Sequence, residues 1–181
     1  MLVVLDAGHG GHDPGAVSDN LNEKDLTLYL ALKVKEYLDY NDSIQTLLTR
    51  SRDSYRSLEE RVLLANENHA DYFVSFHNNA GGGTGFESYI YLGLSQKKTG
   101  ELQHSIHRYL VRFYEHYGVL DRGEKEGNLY VLRHTNMPAI LLENLFVDNP
   151  NDYTLLTDTT FLDELAKTIS KSIEGILEKS F

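Results

Sequence analysis

The stretch Leu2-Val3-Val4-Leu5-Asp6-Ala7-Gly8-His9-Gly10-Gly11-His12-Asp13-Pro14-Gly15 decides the fold. A short apolar run that stops at an aspartate and opens into glycines carrying histidines reads as a strand. It delivers polar groups to the carboxyl edge of a sheet, where α/β proteins bind their ligands. Glycines on both sides of His9 let a metal or substrate approach the backbone, and imidazole is the commonest protein ligand for zinc-like metals. One histidine in such a loop specifies little, so its partners must come from elsewhere in the chain.

Working outward, Asn22 is a plausible N-cap for a helix with apolar spacing at Leu26, Leu30, Val34 and Leu38, running to about Tyr40. Glu23 falls in its first turn, facing the loop, where it can meet a site at the sheet edge or only complement the helix dipole, worth at most ~1 kcal/mol. Ile44 to Thr49 reads as a second strand, and Ser57 as the cap of a helix through Leu58, Val62 and Ala65. Asp71 to Phe76 is nearly all apolar, as a strand buried on both faces should be, and ends in His77-Asn78-Asn79-Ala80 and three glycines. Two strands thus each deliver a histidine into a glycine-rich loop.

Phe86 to Tyr91 alternates like a strand, and Lys97 to Tyr117 has helical spacing. His104, His107 and His116 lie at steps that do not recur on one helix face, so they are read as solvated rather than metal-binding. A glycine-punctuated loop through Gly123 and Gly127 precedes a strand at Leu129 to Leu132. Another buried strand, Ala139 to Leu142, ends at Glu143. A final apolar stripe, Phe161 to about Lys179, is a helix packing on the sheet. Six strands interleaved with four helices predict a single α/β domain over residues 1–181, with a mostly parallel six-stranded sheet flanked by helices.

Bulk properties narrow the function. A net charge of -10 argues against nucleic acid as a partner, since phosphate contacts need clustered Lys and Arg. No apolar run is long enough for membrane insertion, and the N-terminus shows no secretory signal pattern. Without cysteine, any metal must be held by His, Asp or Glu.

The polar groups just after strands or at the nearest helix start are His9, Glu23, His77 and Glu143. Two His and one Glu are a ligand set for zinc with an open fourth position, and a further carboxylate can serve as the base of a hydrolase. Glu143 follows four apolar residues and is costly to bury unless it faces a charge or a cavity; the bland alternative is an ion pair at the strand end.

Read together, Val4 to Gly11, Asn22 to Asp25, Leu48-Thr49-Arg50, Leu58 to Arg61, Ser75 to Ala80, Tyr130 to Arg133 and Glu143 to Asn149 resemble the zinc-dependent N-acetylmuramoyl-L-alanine amidases of type 3, in order across nearly the whole chain. The resemblance implies cleavage of bacterial peptidoglycan between N-acetylmuramic acid and the L-alanine of the stem peptide. It further implies one Zn2+ per chain on His9, Glu23 and His77, with Glu143 as the catalytic carboxylate. Asn79 and Arg133 are candidate substrate contacts, Glu87 a supporting residue, and His12 a hydrogen-bonding loop residue.

Two departures stand out. Where many members read Glu-x-Gly-Phe-x-Ser-Asn, this chain has Leu145 for the glycine and Asp148 for the serine, which puts the shape of that loop in question. The short connection from His77 to Phe86 has no room for the inhibitory helix of some division amidases, so the nearer kin are phage endolysins and Gram-positive autolysins. Action at the cell wall is expected, either as a lysin released to it or as a domain cut from a secreted protein. A separate wall-binding domain is expected to supply targeting. Two other readings remain: a zinc amidohydrolase or carboxypeptidase for another small acidic amide, separated by activity on free N-acyl amino acids, and a non-catalytic wall-binding domain, which should have lost a ligand or the base.

Overall fold

The computed structural model describes residues 1–177. Along the chain run β1 (Leu2–Ala7), the small hairpin β2 (Val17–Ser18) and β3 (Leu21–Asn22), α1 (Glu23–Leu38), β4 (Gln45–Leu48), α2 (Leu58–Glu67) and β5 (Tyr72–Asn79). Then come β6 (Phe86–Tyr91), α3 (Lys98–Glu115), β7 (Asp121–Gly127), α4 (Tyr130–His134), β8 (Ala139–Phe146), α5 (Pro150–Leu156) and α6 (Thr159–Leu177). The expected helix end near Lys179 lies outside the described residues.

Six strands form one sheet in the order β4-β1-β5-β8-β6-β7. Every pairing is parallel except that of β6 with β8, so the sheet is mostly parallel, as its apolar strands predict. One face packs Val3, Leu5, Val74, Phe76, Ile140 and Leu142 against α1, α3 and α6. The other turns Val4, Phe73, Ala139 and Leu141 toward Val62 of α2 and Val131 and Leu132 of α4. These two helices are short, and beyond them the carboxyl ends of β5 and β8 lie beside the amino end of β6.

The sixth strand is not Leu129 to Leu132 but Asp121–Gly127, and Tyr130–His134 is a helix. β7 is an edge strand that hydrogen-bonds only to β6, and its sequence DRGEKEG has no apolar face to betray it. Val131 and Leu132, adjacent in sequence, both bury in the second core as one face of a helical turn allows. Ser57 caps α2 as expected, in a capping box with Glu60. Asn22 is the N-cap of α1, but its side chain donates to Asp25 instead of accepting from the helix backbone.

Candidate metal centre and active site

His9 follows β1, Glu23 opens α1, and His77 sits near the end of β5. One ligand atom from each lies within 4.8 Å of the others. The Glu23 carboxylate stands between the rings, with Oε2 3.1 Å from His9 Nε2 and Oε1 2.9 Å from His77 Nδ1. Two backbone amides fix that carboxylate: Ala16 N–H donates to Oε2 at 2.8 Å and Asn78 N–H to Oε1 at 2.9 Å. On the far side of His9, Asp13 Oδ2 lies 2.9 Å from Nδ1, leaving Nε2 for the cluster.

Charge within the cluster is tightly coupled. Burial works to raise the Glu23 carboxyl, but its bonds to His77 and His9 outweigh this and hold it well below the usual carboxylate range. Burial likewise opposes the charged form of His9, yet Glu23 and Asp13 push its pKa up to about 9. A metal would have to displace these ring protons, so binding competes with acid. The donor set suits a divalent cation: two imidazole nitrogens and one carboxylate, rigidly held. The neighbouring glycines are pressed against the ligands, so any side chain there would push them out of place. A Cβ on Gly8 would lie 2.4 Å from His77 Cε1, and one on Gly15 2.5 Å from Glu23 Oε2.

Glu143 pairs in register with His77 on one side and Glu87 on the other. Residues so paired point to the same face, so His77, Glu143 and Glu87 form a row across this end of the sheet. Burial pushes the Glu143 carboxyl up to about 7, and its Oε2 is buried without a hydrogen-bond partner. The alternative reading, a strand-end ion pair, is not what holds it. A buried, partnerless carboxylate oxygen beside a three-ligand cluster is the mark of a group awaiting a proton or substrate. Beside the cluster opens a cleft of about 350 Å³, whose walls include Tyr55, Leu58, Leu129 and Tyr130.

Glu87, next to Glu143 across β6 and β8, is a hydrogen-bond hub. Its Oε1 accepts from Asn79 and Tyr89, both at 2.9 Å, and its Oε2 from Arg122 at 2.7 Å and from Lys125. Against the cost of burial, these bonds draw its pKa down to about 2. Asn79 is thus tied to Glu87. Arg133 is exposed on α4, where it donates to Asn128 Oδ1 at 2.7 Å and lies 5.8 Å from the Tyr130 ring. His12 stacks on Tyr55 with centroids 4.2 Å apart and stays out of the cluster. His107 is not solvated: it is buried between Ser88 and Asp121.

The scaffold beneath the loop came from residues whose roles the sequence had not indicated. Arg61 donates to Asp6 Oδ1 at 2.7 Å, Ala7 O at 2.6 Å and His9 O at 2.7 Å. Arg50 donates to Ala7 O at 3.0 Å and to Gly8 O at 2.8 Å. Asp6 also accepts from Thr49 and Ser75, so the charges of this buried pair are fully hydrogen-bonded. Only a polar residue at an apolar strand's end, Asp6, hinted at such a network.

Comparison with known proteins identifies similar chains. The family model described as N-acetylmuramoyl-L-alanine amidase matches residues 3–175. The endolysin of Bacillus phage SPP1 is 44% identical over 97% of this chain and 66% of its own length. The sporulation-specific N-acetylmuramoyl-L-alanine amidase of Bacillus subtilis (strain 168) is 41% identical over 96% of this chain and 67% of its own length. The chain therefore spans about two thirds of the length of these relatives. Among solved structures, an N-acetylmuramoyl-L-alanine amidase from Clostridium difficile 630 superposes with a TM-score of 0.93 at 35% identity, covering 99% of this chain and 98% of that one. The catalytic domain of CwlV from Bacillus (Paenibacillus) polymyxa var. colistinus gives 0.89 at 37%, covering 98% of each.

Proposed function

The chain belongs to the N-acetylmuramoyl-L-alanine amidase family, and from that premise we propose that it is the catalytic domain of a zinc-dependent peptidoglycan hydrolase acting at the bacterial wall. It cuts the amide between the lactyl group of N-acetylmuramic acid and the L-alanine of the stem peptide. His9, Glu23 and His77 hold one zinc ion, as their two nitrogens and one oxygen within 4.8 Å support. Zinc bound there supplies a Lewis acid that polarises the amide carbonyl and eases the ionisation of water.

The chain's own residues do the rest. Asp13 and Glu23 orient the imidazoles, and the backbone amides of Ala16 and Asn78 keep Glu23 in place. Glu143 takes a proton from the attacking water and returns it to the leaving nitrogen. Asn79, beside Glu87, and Arg133, on the helix whose Tyr130 lines the cleft, are the substrate-contacting side chains of this reading. The loop between β5 and β6 is too short for a blocking helix, which favours an enzyme active without a partner, as in a lysin or autolysin. Delivery to the wall falls to a separate module. The chain spans only 34% of the Bacillus subtilis amidase LytC, so that relative carries much sequence beyond the shared stretch.

The observation that carries this proposal is the partnerless Glu143 Oε2 one strand from the three-ligand cluster. Its test is release of free amino groups from purified peptidoglycan, with the products identified by mass. Zinc-loaded wild type should release intact stem peptides beginning in L-alanine, and a chelator should abolish this. Glu143→Ala should keep its zinc and lose activity by roughly 10²- to 10⁴-fold. No release by the zinc-loaded wild type would sink the proposal.

A further inference from the structure

We infer that Arg122 and Lys125 of β7 recognise an acidic group on the stem peptide, so that the peptide runs across Glu143 toward the β6–β7 edge of the sheet. This rests on the amidase reading and gives the substrate a direction.

Strand order sets the direction. The scissile carbonyl has to face His9 and His77, which β1 and β5 deliver, and the leaving nitrogen has to face Glu143 on β8. In the order β1-β5-β8-β6-β7, everything on the amine side of the bond therefore points toward β6 and β7. Everything on the acyl side points back toward β1 and β5.

On the amine side the first side chain after Glu143 is Glu87, and beyond it stand Arg122 and Lys125. Both cations bond the single oxygen Glu87 Oε2, while Oε1 is taken by Asn79 and Tyr89. Two positive charges against one negative leave this shelf at +1, on a chain whose net charge is -10. The cations are 30% and 34% exposed, so their unused donors face solvent. Lys125 spends one of its three protons on Glu87, and Arg122 gives Nε to Glu87 and Nη1 to Thr84 O at 3.4 Å with its guanidinium 4.8 Å from the Phe146 ring, leaving Nη2 for a ligand. Glu124 and Glu126 turn away, toward His104 and toward the backbone at Gly93 and Ser95.

The reach also matches. Neighbouring strands lie about 4.8 Å apart, so β7 is roughly 10 Å from the Glu143 strand. An extended peptide advances roughly 3.5 Å per residue, which brings a carboxylate on the second stem residue to the shelf.

A shelf that served only to brace Glu87 would not distinguish substrates. The test uses two soluble muramyl peptides that differ only at the second stem residue, one with a free carboxylate and one with a carboxamide. Wild type should favour the carboxylate in kcat/KM by about 10-fold or more, chiefly through KM. Lys125→Met should raise KM for the carboxylate peptide and leave the carboxamide peptide nearly unchanged, and Lys125→Arg should restore the preference. Equal treatment by wild type, or equal loss on both peptides in Lys125→Met, overturns the inference and leaves the amidase reading standing. If zinc-loaded wild type cuts neither peptide, both fall together.

Discussion

Asp13 shows how one residue outside the ligand set controls it. Its Oδ2 takes the proton side of His9 Nδ1 at 2.9 Å, and only then does Nε2 face Glu23. Asp13→Ala should leave His9 free to rotate and to choose the wrong tautomer, weakening zinc binding by roughly 10- to 100-fold. Competition against a fluorescent chelator measures this directly; unchanged affinity would mean that Glu23 alone orients the ring. At this scale the sequence singled out His9, Glu23, His77 and Glu143, which the fold brings together, because each sits where an element begins or ends and an apolar pattern breaks. It did not single out the roles of Asp13, Arg50 and Arg61. A carboxylate in a polar loop and arginines near helices look solvated in one dimension; only the folded loop brings Asp13 to the His9 ring, and only the packing of α2 and the turn after β4 over it gives the arginines carbonyls to bind.

At the scale of elements, the informative place is the end of β8. Leu145 stands where many relatives resembling this chain carry glycine, and it adopts φ 70, the left-handed region that glycine favours. Leu145 thus takes a glycine-like conformation, and its side chain is fully buried in the main core. Two effects compete in Leu145→Gly. Relief of left-handed strain returns about 1–2 kcal/mol, whereas deleting a buried leucine costs roughly 2–5 kcal/mol. Packing wins, so the variant should be destabilised by about 1–3 kcal/mol in urea unfolding; a gain in stability would show that the strain outweighs the packing. Asp148, the second departure, accepts from Gly81 N at 2.7 Å and Gly82 N at 2.9 Å, tying this turn to the loop after His77. The buried strands and amphipathic helices were legible from their periodicity. β7 and α4 were not, because an edge strand needs no apolar face and a five-residue helix is too short to show a period.

Over the whole molecule, charge is divided by function. A net charge of -10 surrounds a His-Glu-His cluster suited to a cation and a shelf that carries +1. Bacterial walls carry anionic polymers, so the domain should be repelled from its own substrate until salt shortens the range of the field. The Debye length falls from about 30 Å at 0.01 M to about 8 Å at 0.15 M ionic strength, less than the width of a domain this size. Clearing of purified walls by the isolated domain should therefore rise several-fold across that range. Cleavage of the soluble carboxamide muramyl peptide, which offers neither a polyanion nor a carboxylate on its second stem residue, should change little, and this separates repulsion from any effect of salt on catalysis. If walls clear faster at low salt while the soluble reaction stays flat, attraction through a local basic surface outweighs the net charge, and the need for a separate targeting module loses its electrostatic basis.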